Sequence, residues 1–151
     1  MKITTFAGLA DRIDAGLARF KAEQPLTLLE VGTVIQTAAK ASLGIYQGPK
    51  PPFGAWAPLA EQTQEQRVRA GFSADEPLLR SGELREAIEV HVDDNIVCVG
   101  VGGDMATVAA AQEYGTPTVP PRPFLRPAAQ ESLPEAGRII TRSLRRAIVE
   151  G

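Results

Sequence analysis

Between Glu113 and Ala128 the chain reads EYGTPTVPPRPFLRPA, and five of these sixteen residues are proline. Each proline lacks the amide hydrogen that helix and sheet ladders use, so the sequence predicts an extended segment over residues 117–127, neither helix nor central strand. Phe124 and Leu125 sit inside it, flanked by Arg122 and Arg126, and large apolar side chains are unusual cargo for a solvated loop. A stiff segment loses less chain entropy on docking than a flexible one. Phe124 and Leu125 are therefore candidate anchors in an apolar groove of a neighbouring subunit, with Arg122 and Arg126 pairing carboxylates at its rim. In the alternative, both side chains pack into their own core and the prolines only shape a loop.

The rest of the chain offers material for a compact body. Phe6, Leu9, Ile13, Leu17 and Phe20 recur at spacings of three and four, which predicts a helix from Thr5 to just before Pro25 with these residues on one apolar face. A second helix is predicted from Leu26, carrying Leu28, Val31, Ile35, Ala38, Ser42 and Tyr46 on one face, with small residues that allow close packing. The Pro/Gly-rich stretch 48–54 reads as a loop. A short polar helix follows, with Pro58 in its first turn and Gly71 past its end, and Trp56 is expected to cover the edge of the core, with a partner contact as the alternative. Ser81 suits the N-cap of another short helix reaching Ala87. Ile88, Val90 and Val92 then alternate with polar residues, Asp94-Asn95 makes a turn, and an apolar run from Ile96 to Val101 completes a β-hairpin whose second strand reads as the more central. Alanine-rich residues 105–114 give two helical turns stopped by Gly115. Ser132 and Glu135 form a capping box over the last helix. There Ile140, Leu144, Ala147 and Ile148 share one side, and Arg138, Arg142 and Arg145 the other. The expectation is one α+β domain over 1–151: a small antiparallel sheet with a hairpin, packed by two N-terminal helices and an amphipathic C-terminal helix.

The totals restrict function more than they define it. With 151 residues the chain can bury about two thirds of its unfolded surface without staples. One cysteine permits no internal disulfide, which fits a reducing compartment such as a bacterial cytoplasm. No leader or spanning segment is evident, so a soluble protein with no membrane contact is expected. A net charge of −2 gives no strong pull on nucleic acid. Arginine outnumbers lysine twelve to four, which favours fixed pairing at interfaces.

Motifs for catalysis are scarce. His91 is the single histidine, which removes every multi-histidine metal site; it lies in a strand between Glu89 and Asp93. Gly71-Phe72-Ser73-Ala74-Asp75 fails the nucleophile-elbow pattern at its last position. Gly100-Val101-Gly102 begins a dinucleotide fingerprint that Met105 breaks. Asp93 and Asp94 belong to the turn. Cys98, between two valines and without a basic neighbour, is expected to be buried and inert. No metal and no cofactor is expected. Four arginines between Arg138 and Arg146 offer a possible phosphate contact, or simply a solvated helix face.

Three stretches in order carry a resemblance: LLRSGELREAI (78–88), QEYGT (112–116) and RPFLRPA (122–128), preceded by WAPLAEQT (56–63). They resemble the leucine-arginine, glycine-threonine and arginine-proline-phenylalanine motifs of phage virion-morphogenesis proteins, the tail-completion or neck proteins of long-tailed bacteriophages. The resemblance covers about half the chain. It implies a non-enzymatic virion protein of α+β fold, assembled in the host cytoplasm as a homo-oligomeric ring, a hexamer or dodecamer, at the head–tail joint. Its partners would be other neck, connector and tail-tube proteins, with passing contact to packaged DNA. The candidate interface is Arg80, Leu84, Arg85, Glu113, Tyr114, Thr116, Arg122, Phe124, Leu125 and Arg126, with Arg138, Arg142 and Arg145 as candidate DNA or partner contacts. Two other classes stay open: a small enzyme using His91 with Glu89 or Asp93, and a nucleic-acid-binding module using the C-terminal arginines.

Overall fold

The computed structural model describes residues 5–150, so the predicted domain ends at 1 and 151 lie outside the described residues. The architecture is α+β, as expected, but a single helix stands where two were predicted at the N-terminus. α1 runs Phe6–Ser42, opened by Thr5, whose Oγ1 accepts the N–H of Gly8 at 3.1 Å. Pro25 does not divide it. This proline lies on an exposed side of the helix, where the carbonyl its missing N–H leaves free is open to solvent, and packing further along holds the helix through. Tyr46, predicted on the second helix, lies beyond its end.

The hairpin follows the sequence closely. β1 (Ile88–Asp93) pairs antiparallel with β2 (Ile96–Val101), with Val90 opposite Val99 and His91 opposite Cys98. Asp94 takes a left-handed φ of 47°, as the first position of a primed two-residue turn requires. One face of the hairpin lies on α1, and the approach is close. A Cβ on Gly32 would come within 2.4 Å of Val90 Cγ1 and 2.6 Å of Val97 Cγ2. Two expectations fail here. Among the described residues the sheet has two strands, so β2 is not central. The other face is open, and Cys98 on it is exposed rather than buried, because alternation puts it opposite to Val97 and Val99.

Between these elements lie α2 (Glu61–Arg69) and α3 (Glu83–Glu86). Pro58 precedes α2 rather than entering its first turn. Gly82, not Ser81, is the N-cap of α3, while the Ser81 hydroxyl bonds the Glu83 carboxylate at 3.0 Å. A 3-10 turn, Gly103–Met105, leads into α4 (Ala106–Tyr114), which stops at Gly115 with φ 77°. A side chain there would meet Pro121 and the Val119 carbonyl at 3.0 Å, so this glycine lets the chain fold back on itself.

The last helix begins seven residues earlier than its predicted capping box. α5 runs Leu125–Arg145 and continues as a π-helical turn, Arg146–Glu150. The extended segment therefore ends at Phe124, not at residue 127: Pro127 occupies the first helical turn, where no intrahelical donor is missed. Ser132 is buried inside the helix rather than capping it, and Pro134 lies on the exposed side. The buried stripe is Ala128, Ser132, Ala136, Ile139, Ser143 and Ala147. Ile140 and Leu144, predicted to share the inward side, are 41% and 36% exposed. Small residues on both helices let α5 approach α1 closely, and the buried Thr27 and Ser143 hydroxyls share a hydrogen bond of 2.9 Å. The main core gathers Ala39, Leu43, Trp56, Leu84, Ile88 and Phe124.

Candidate functional site

Phe124 is among the most buried side chains of the protein, at 1% exposure. The predicted anchor is thus part of its own subunit's core, and Leu125 packs beside it, half-buried. The arginines meant for a neighbour's carboxylates are also spoken for internally. Arg122, 4% exposed, donates from Nε to the Ala57 carbonyl and from Nη2 to that of Pro58, both at 2.9 Å. Its burial holds its pKa below the usual arginine value. Trp56 Nε1 donates to the Pro123 carbonyl at 3.0 Å, as a core-edge tryptophan with a polar tip should. Prolines cannot donate, so the segment is bound to WAPL through the Pro123 carbonyl, which accepts from Trp56, and through the Arg122 side chain, which donates to the Ala57 and Pro58 carbonyls.

Glu113 holds the other side. Its carboxylate, on a residue only 3% exposed, accepts the N–H groups of Phe124 at 2.7 Å and of Leu125 and Arg126 at 3.0 Å each. Arg126 Nε adds a fourth bond at 2.9 Å, and its Nη2 reaches the Glu113 carbonyl at 2.9 Å. A carboxylate from the end of α4 thus satisfies the orphan donors at the start of α5, the place where the helix dipole favours negative charge. Burial alone would raise its pKa. The backbone donors of Leu125 and Phe124, with Arg126, outweigh burial and hold it below the ordinary carboxylate value. The Arg126 guanidinium also lies over the rings of Phe53 and Tyr114, 5.0 and 4.6 Å from their centroids.

The three motifs therefore meet inside one subunit. Beyond the Glu113 cap, the Arg122 N–H donates to the Gln112 carbonyl at 2.6 Å. Thr116 makes a tight turn with Val119, its Oγ1 accepting the Val119 N–H at 3.0 Å. Leu84 is a core residue, Arg85 is half-buried beside Glu86, and Arg80 stacks over Phe72 at 5.3 Å. Of the predicted interface, Glu113, Arg122, Phe124 and Leu84 are consumed by folding, whereas Arg80, Tyr114, Thr116 and Arg126 remain exposed. The C-terminal arginines are divided too. Arg142 pairs with Glu30 of α1, Arg138 with Glu135 at 2.8 Å, and the unpredicted Arg146 with Glu23 at 2.8 Å. These neutralise much of the stripe, and Arg145 takes no ion pair among the described residues.

The exposed apolar surface lies where the sequence placed a covered face. Phe6 is 93% exposed, and Leu9, Ile13 and Leu17 are each 40–42% exposed. By helical spacing this stripe is the N-terminal continuation of the α1 face that carries Val31 and Ile35, which is covered. The turn of the hairpin lies level with Gln24, whose Nε2 donates to Asn95 at 2.8 Å. On the other edge, Arg12 and Arg19 donate to the carbonyls of Ala147, Ile148 and Val149. Helix α1 is fastened there along one side while its apolar stripe faces outward. The missed signal was the length of the hairpin: six-residue strands cannot cover a 37-residue helix.

His91 is exposed, opposite Cys98 on the open face of the hairpin. Among the described residues no group of three or more histidine, cysteine, aspartate or glutamate side chains is placed to hold a metal ion, and no helix is long and apolar enough to cross a membrane. No protein-family model, no curated protein and no solved structure matches the chain, so the likeness to phage neck proteins stands on the motif residues alone.

Proposed function

We propose that the chain is a structural subunit of a phage head–tail neck, of the tail-completion or tail-terminator type, which acts by assembling with copies of itself and with neck, connector and tail-tube proteins rather than by catalysis. The observation that carries the reading is the outward apolar stripe of α1. A contiguous row of Phe6, Leu9, Ile13 and Leu17 in water is the mark of a surface that another protein covers. The stripe continues the face by which α1 already packs inside its own subunit, so a neighbouring copy can extend that packing. Repeated head to tail, such a contact closes a ring. The three motifs in order supply the virion half of the reading.

The same motifs now have a different part to play: they make the rigid block that presents α1, instead of reaching to a neighbour. Mass spectrometry of purified particles tests the assignment. The polypeptide is expected at a fixed copy number in tailed particles. Particles of full infectivity that lack it would overturn the reading.

A further inference from the structure

The outer face of the β1–β2 hairpin carries two rows of different chemistry. Alternation places Ile96, Cys98 and Gly100 in one row on β2, with Asp93, His91 and Glu89 opposite them on β1. The inner row of β2 is Val97, Val99 and Val101, packed on the core, so this strand is apolar on both faces. Strands of that composition are ordinarily covered on both sides, yet here Ile96 is 63% exposed and Cys98 also faces solvent. The acidic row is unmatched as well. Neither Glu89 nor Asp93 takes an ion pair among the described residues.

The N-terminal part of α1 has the matching rows. Beside the apolar row of Phe6, Leu9, Ile13 and Leu17, helical spacing sets Arg12 and Arg19 along one edge, about two turns apart. Both donate to backbone carbonyls between Ala147 and Val149, and neither takes a carboxylate among the described residues. The other edge, with Asp14 and Lys21, is balanced in charge. The dimensions agree too. From Phe6 to Leu17 the stripe is about 17 Å long, the span of a six-residue strand such as β2. Arg12 and Arg19 lie about 10 Å apart along the helix, and Glu89 and Asp93 about 13 Å apart along β1.

We infer that the outer hairpin face of one copy seats on the α1 stripe of the next, with Ile96 and Cys98 on the apolar row and with Glu89 and Asp93 facing Arg12 and Arg19. The inference rests on the assembly reading above and supplies the second half of its contact. A hairpin so placed is covered on both sides, by its own α1 and by its neighbour's, as the composition of β2 requires. The acidic row against the arginine edge sets which way the hairpin lies across the stripe. Because the two surfaces differ, the contact is head to tail and leaves a free stripe and a free hairpin until a ring closes. Two stripes packed on each other would leave the outer row of β2 in water and the acidic row without a partner.

Complementation between two broken copies tests the pairing. Ile13→Asp/Leu17→Asp removes the stripe and keeps the hairpin, whereas Ile96→Glu/Cys98→Glu does the reverse. In sedimentation velocity each variant alone is expected to be a monomer, with melting curves recorded to show that it is folded. An equimolar mixture should sediment as a dimer of one copy of each, because a single intact contact remains. Glu89→Lys/Asp93→Lys, which leaves both apolar rows in place, should associate about tenfold more weakly than wild type, and it decides alone if the glutamates unfold the hairpin. The inference is overturned if the hairpin variants assemble like wild type, or if the two folded monomeric variants fail to combine. A wild-type chain that stays monomeric overturns the assembly reading with it, whereas a wild-type oligomer indifferent to the hairpin changes overturns this inference alone.

Discussion

The proline-rich segment and the first four turns of α1 exchange roles between sequence and structure. The former contains two large apolar residues in a stretch that no regular element should absorb, and the latter a well-formed amphipathic stripe. In the folded protein the prolines carry Phe124 inward, to 1% exposure, while Phe6 stands 93% exposed. Periodicity identifies which face of an element is apolar; it does not say what covers that face. Cover depends on the reach of neighbours, and here the turn of the hairpin lies level with Gln24. In the proline segment, WAPL on one side and Glu113 on the other supply the partners that the prolines cannot.

If this contrast is right, damage to the two regions should have opposite consequences. Phe124→Ala should cost about 4 kcal/mol of unfolding free energy, since it empties a filled core site; a urea denaturation curve close to wild type would show that Phe124 is not structural. Glu113→Gln should cost about 2 kcal/mol by weakening the cap on α5 and leaving Arg126 without its partner. It should also change the acid limb of stability. The folded-state pKa of Glu113 lies below its ordinary 4.5, so its contribution is complete above that value and is lost as pH falls through the lower folded-state pKa. Melting temperatures measured between neutral pH and that range should drop more steeply for wild type than for Glu113→Gln, and parallel curves would remove the charge from the account. Gly32→Ala should cost about 1–2 kcal/mol, because the clash with Val90 and Val97 exceeds the gain in helix propensity. Stabilisation by this change would mean that the hairpin sits farther from α1.

Local signals were legible to the residue. The strands Ile88–Asp93 and Ile96–Val101 and their turn follow from period-two alternation around Asp94-Asn95, and the stop at Gly115 follows from its position after an alanine-rich run. Signals that need distant partners were not. Pro25 and Pro134 look like breaks, yet each falls on an exposed side of a helix stabilised by packing elsewhere. Ser132 has the spacing of a cap, but the donors at the true start of α5 are met by Glu113, eleven residues upstream of Phe124. Cys98 looks buried in an apolar run, yet among the described residues no layer covers that face of the hairpin. At the candidate sites, the motif residues were visible, whereas their mutual packing was not, and nothing in the sequence marks Arg67 as a buried arginine.

The central claim is that α1, and not the Phe124-Leu125 ribbon, is the docking element. Sedimentation velocity of wild type and of Ile13→Asp/Leu17→Asp, over a range of concentrations and with melting curves recorded alongside, tests it most directly. The account predicts that wild type forms a closed oligomer, while the variant sediments as a monomer with stability changed by less than about 1 kcal/mol. An oligomer that survives both aspartates in a folded variant would contradict it.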